Sequence, residues 1–152
     1  MKILSTIFLS LLVMLSSGAL AQSGISFTTS TLAGVNVSNP TTLAFGPDNR
    51  LYVTQQDGNI FAYTIQKNGP NNYAVTNTEL ISVIRSIPNH HDNGDLFSSF
   101  VQRQVTGIVA TGTAANPVLY ICSSDPRIGG GGELGDINLD TNSGMISKLT
   151  KT

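Results

Sequence analysis

The chain has 152 residues, only 11% of them charged, and a formal net charge of -1. With no cluster of basic residues, it lacks the electrostatic footprint of a nucleic-acid binder or a lipid-surface protein. Its single cysteine, Cys122, rules out an intrachain disulfide, so stability must come from packing.

Met1 and Lys2 precede an apolar run from Ile3 to Leu15, and Ala19-Leu-Ala21 supplies a small-x-small cleavage site before Gln22. This is the layout of a secretory signal peptide. The run is shorter than the roughly 20 apolar residues of a membrane span and ends in Ser16-Ser-Gly18. Residues 1–21 are therefore expected to be removed on export. The mature chain, residues 22–152, is then secreted or periplasmic and free of the membrane.

Beyond Gln22 the sequence is rich in Val, Ile, Thr and Tyr, broken by Asn-Pro, Gly-Pro-Asp, Asp-Gly, Asn-Gly and Ser-Gly turn formers. That pattern predicts an all-β fold. Thr41 to Phe45 reads as an inner strand packed on both sides, and Gly46-Pro-Asp-Asn-Arg50 as a turn. Leu51 to Gln55 follows, with Leu51 and Val53 on one face and Tyr52 and Thr54 on the other. Gln56-Asp-Gly58 turns again, Asn59 to Gln66 forms a third strand, and Tyr73 to Ile84 an outer fourth with a polar middle. Pro88 to Phe100 is a polar connection.

The unit then recurs. Gln104 to Val109, Val118 to Ile121 and Ser143 to Leu149 repeat its first three strands. Leu51-Tyr52-Val53 matches Leu119-Tyr120-Ile121, and Gly58-Asn59-Ile60 matches Gly144-Met145-Ile146. The offset is 68 at Tyr52 and 86 at Ile60, which places about 18 extra residues within Asp125 to Asn142. A strand-turn-strand unit recurring at this distance marks a radial or stacked β repeat, and four antiparallel strands per unit describe a propeller blade. The chain is expected to hold a first blade and most of a second, as a fragment of a larger ring.

Few residues suggest chemistry. Cys122 lies inside the apolar run Val118 to Cys122 and is expected to be a small core residue. Asp136, Asn138 and Asp140 alternate as calcium ligands do, and stand as the metal candidates. The EF-hand pattern fails at Thr141 and Ser147, which leaves a hard-cation site of other geometry or, preferably, a solvated loop. Gly129 to Gly132 precedes Glu133-Leu134 rather than Lys-Ser/Thr, so it is no phosphate loop. His90 and His91 are adjacent and belong to a polar rim loop. No Gly-x-Ser-x-Gly nucleophile elbow occurs. Gln104 stands just before the inner strand of the second unit, where the chain of a propeller enters the central channel.

The residues Leu43 to Ile60, with Arg103 to Ile108, Asn116 to Tyr120 and Ser123 to Arg127, resemble the glucose/sorbosone dehydrogenase family. The resemblance extends from about Asn39 to Thr150 and rests on a Gly-Pro-Asp-x-x-Leu-Tyr-Val motif that other propellers share. It implies a six-bladed propeller of the soluble quinoprotein type. There, pyrroloquinoline quinone (PQQ) accepts a hydride from a sugar, with a His as base. Gln104 falls at a channel-facing glutamine of the family and is the one cofactor contact implied. The family's catalytic His is expected beyond Thr152 and matches neither His90 nor His91; its Arg, Lys and calcium positions belong to later blades. The Asp125 to Asn142 insertion departs from the better-known members and puts quinone use in doubt. The alternatives are a non-catalytic secreted propeller that binds carbohydrate or protein, and a complete product that assembles with copies of itself.

Overall fold

The computed structural model describes residues 24–91, 94–99, 101–126 and 144–152. The metal candidates Asp136, Asn138 and Asp140, and the proposed leader, lie outside them. The described chain is mostly β. Its strands are β1 (Leu32–Ala33), β2 (Pro40–Phe45), β3 (Arg50–Gln55), β4 (Ile60–Gly69), β5 (Asn72–Ile81), β6 (Asn89–His90), β7 (Leu96–Phe97), β8 (Gln104–Gly112), β9 (Pro117–Ser124) and β10 (Gly144–Thr150). A 3-10 turn, Val83–Ser86, takes the place of the last residues assigned by sequence to the fourth strand.

Strands β2 to β5 form an antiparallel meander, and β1 adds itself in parallel to the edge of β5. Strands β8 to β10 form a second meander, and β6 pairs with β7 in a small hairpin inside the expected polar connection.

The first two turns of the first meander share one construction. In each, the third loop residue adopts a left-handed backbone, Asn49 at φ 60° and Gly58 at φ 89°. The strands close around them by Gly46 N–H to Arg50 O (2.9 Å) and Gln55 N–H to Asn59 O (2.8 Å). The preceding aspartate accepts from the backbone two residues on, Asp48 from Arg50 and Asp57 from Asn59. Asn and Gly are the residues that tolerate this conformation, so the sequence encodes a three-residue loop at each point.

The Gly-Pro-Asp motif has a further reason. A Cβ on Gly46 would lie 2.6 Å from the Tyr52 ring and against the Asp48 carboxylate. The absent side chain lets the Tyr52 hydroxyl donate to Asp48 Oδ2 at 2.7 Å. Glycine, aspartate and tyrosine interlock, which fixes the turn to the strand that follows.

The repeat read from sequence is kept in the hydrogen-bond register. Tyr52 stands opposite Ala62, and Tyr120 opposite Lys148; Thr54 stands opposite Ile60, and Cys122 opposite Ile146. The offsets of 68 and 86 hold in both pairs. The sheets pack face to face. Tyr52, Ile60 and Ala62 of the first meet Val105, Leu119 and Ile121 of the second, with Ile84 completing the core. The approach is closest along β2, β3 and β8. Away from those strands the sheets splay and leave a cleft of about 310 Å³ between Glu79, Ile81, Leu119 and Leu149.

Two expectations are corrected. The inner strand β2 is covered on one face only, because Leu43 and Phe45 are exposed. Cys122 is exposed rather than core: only the alternate residues Leu119, Ile121 and Ser123 of its strand face the first sheet.

Replacing Gly46 with Ala drives a methyl into the Tyr52 ring and is expected to cost about 1–3 kcal/mol, as overpacking does. Asn49→Gly, which keeps the left-handed backbone, is expected to change stability by only a few tenths. Urea midpoints of the two variants check this.

Candidate functional site

Buried polar side chains collect at one end of the sheets, where β3 finishes, β8 begins and β9 finishes. Thr54, Gln55, Asn89, Arg103 and Ser123 are all buried there. The placement follows from the meander: the β3–β4 turn, the entry to β8 and the exit of β9 share this end.

Arg103 is the centre. It is fully buried, and its Nε donates to Ser123 Oγ at 3.2 Å and its Nη1 to Asn89 Oδ1 at 3.1 Å. Asn89 Nδ2 in turn donates to the carbonyl of Gln102 at 2.9 Å. Burial lowers the Arg103 pKa, and the nearby Asp125 carboxylate works against that shift. The guanidinium thus ties the β6–β7 hairpin to the second meander. The β3–β4 turn closes over it. A Cβ on Gly58 would lie 2.8 Å from both Arg103 O and Arg85 Cγ, so the turn reaches this approach only with glycine. An Arg85–Asp57 ion pair at 4.0 Å borders the turn.

Gln104 is the first residue of β8, half-buried and opposite Ser124. It therefore follows Arg103 at the strand entrance. His91 sets its ring edge-on against Phe97, with centroids 5.0 Å apart. Its backbone N–H and carbonyl shape the hairpin loop through Asp95 and Gly94. Among the described residues no group of three His, Cys, Asp or Glu side chains is placed to hold a metal ion.

Sequence reasoning singled out Gln104 but not Arg103 or Asn89. Asn89 opens a polar run that reads as solvated loop, and nothing local signals its burial. Arg103 carried a faint sign: a lone arginine directly before an apolar strand in a chain with few charges.

A second polar group sits at the opposite end, on the wall of the cleft between the sheets. Arg50 pairs with Glu79 at 2.7 Å and also donates to the Ala62 carbonyl at 3.2 Å. Burial, reinforced by the hydrogen bond to Asp48, pushes the Tyr52 phenol up to about 12. It stays protonated and a donor throughout the physiological range.

No protein-family profile, curated protein or solved structure matches this chain.

Two outcomes follow. Arg103→Met leaves Asn89 Oδ1 and Ser123 Oγ without their donor and is expected to cost about 1–3 kcal/mol. A double-mutant cycle with Asn89→Ala is expected to show strong coupling. For Tyr52, the folded pKa lies above the unfolded value of 10, so its stabilisation is complete below pH 10 and lost as pH rises toward 12. Tyr52→Phe is expected to flatten, without abolishing, the alkaline fall in a pH series of melts, since burial also raises Tyr63.

Proposed function

We propose that this chain is an exported β-propeller component of the sugar dehydrogenase-like type, supplying a first blade and most of a second. The observation that carries the reading is the pair of meanders in one register, stacked face to face and closest along their first strands. Radial repeats bury their blades in that way. In this reading the end bearing Gln104 looks onto the ring's channel, and the Arg103–Asn89–Ser123 network holds the strand entrance in place.

The residues present do not by themselves fit PQQ. A quinone bearing several carboxylates calls for exposed cationic donors lining a cavity, and Arg103 is fully buried and engaged with Ser123 and Asn89. Gln104 is half-buried and does not line the cleft beside Arg50, Tyr52 and Leu119. No catalytic step is therefore assigned to these residues. Their role in the proposal is structural support for a site completed by other blades.

Two measurements test the reading. The exported protein is expected to begin at Gln22 on N-terminal sequencing; retention of Met1 would contradict export. With PQQ, calcium and a panel of aldoses, the 152-residue chain is expected to give no sugar-dependent dye reduction. Turnover by the purified chain would overturn the purely structural role given to these residues.

A further inference from the structure

The outer face of the first sheet, turned away from the second, is divided. Leu43 and Phe45 of β2 are 61% and 64% exposed there, yet Val53 of β3 and Tyr63 of β4 are only 7% and 1% exposed. The register puts all four on one face, with Leu43 opposite Val53, and with Leu51 opposite both Phe45 and Tyr63.

The chain ahead of β2 accounts for the difference. Leu32 and Ala33 pair with Tyr73 and Ala74 at the far edge of the sheet. The backbone then turns at Gly34, where φ is 84° and a Cβ would lie 3.4 Å from that of Val75. The Tyr63 hydroxyl donates to the carbonyl of Asn36 at 3.1 Å. At the end of β3, the Gln56 N–H donates to the carbonyl of Asn39, also at 3.1 Å. Residues 32–39 thus cross the sheet as a strap, from β5 over β4 to the β3–β4 turn. Leu32 and Val37 are its half-buried apolar residues, and Ala33 to Asn36 stay exposed.

The repeat shows what the strap replaces. The offsets carry Val53 to Ile121 and Tyr63 to Leu149, on the side of the second sheet that the first sheet faces. Ile121 is buried in the shared core, and Leu149 borders the cleft where the sheets splay. The second sheet makes its close approach through β8, which repeats β2. On the outer face of the first sheet the equivalent of that contact strip is β2, and the equivalent of the cleft is the ground the strap crosses.

We infer that residues 32–39 are a built-in cover that stands in for a neighbouring sheet over β3 to β5. The strap closes that ground to sheet stacking and leaves β2, with Leu43 and Phe45, as the strip that receives a neighbour. The cover rests on the contacts just given. That the neighbour is another blade rests on the propeller reading, whose blades pack in this way. The grip is light, two paired residues and two hydrogen bonds, but releasing it would return the apolar surface around Val53 and Tyr63 to water.

The test follows amide hydrogen exchange and the binding of an apolar fluorescent dye on the full chain. The Gln56 amide is bonded to Asn39, so it reports on the strap, and it is expected to be protected in wild type. Gly34→Val forces a branched residue into a left-handed backbone against Val75 and leaves Val53 and Tyr63 unaltered. Exchange at Gln56 is expected to quicken about tenfold or more. Dye fluorescence is expected to rise with it, while Leu119 and Ile121 keep their protection. A Gln56 amide that exchanges freely in wild type would overturn the inference. So would release of the strap with no gain in dye binding. If Gly34→Val fails to fold or leaves Gln56 unchanged, Tyr63→Phe decides, since it keeps the ring and removes the bond to Asn36. Exchange at Gln56 is then expected to be roughly three- to tenfold faster, and an unchanged rate would contradict.

Discussion

The structure depends on one contact surface, the face where Tyr52, Ile60 and Ala62 of the first sheet meet Val105, Leu119 and Ile121 of the second. Each meander carries an apolar face that must be buried against another layer. Here each sheet supplies the other's cover. Tyr52 is the largest apolar group at this surface, and its hydroxyl is satisfied by Asp48 rather than left buried without a partner. That bond exists because Gly46 gives the ring room, so a three-residue turn at the sheet's edge helps determine how the core is filled.

The polar network at the other end follows from the same packing. Once the sheets are face to face, the start of β8 and the end of β9 lie beneath the β3–β4 turn. Arg103 enters a space closed to water, and its charge must be met by Ser123, Asn89 and the field of Asp125. A buried charge removed from its partners is costly, so the network fixes the hairpin more firmly than its two short strands would. The arrangement is architectural, and it leaves Gln104 as the first side chain of the strand beside it.

Much of the fold was legible in the sequence because the repeat was. Period-two alternation gave the faces of β3, and Asn49 and Gly58 gave the turns, since few other residues accept a left-handed backbone. The register offsets at Tyr52 and Ile60 came from matched residues alone and hold in the strand pairing. What the sequence misjudged was cover. Leu43, Phe45 and Cys122 look like core from their apolar neighbours, yet burial depends on what is packed above them, which local pattern does not report. Arg103 and Asn89 escaped for the converse reason, being polar residues whose partners are distant in sequence. The parallel pairing of β1 with β5 was likewise invisible, because two residues carry no periodicity.

The claim that the two meanders are one unit repeated and held by a common face is tested most directly by amide hydrogen exchange on Ile121→Ala. The lost side chain belongs to the second sheet, but its cavity lies at the shared surface. Protection is expected to fall together in β3, β4 and β9, with the first sheet weakened as much as the second. Loss confined to β8, β9 and β10, with β3 and β4 as protected as in wild type, would show two sheets that fold separately and contradict the account.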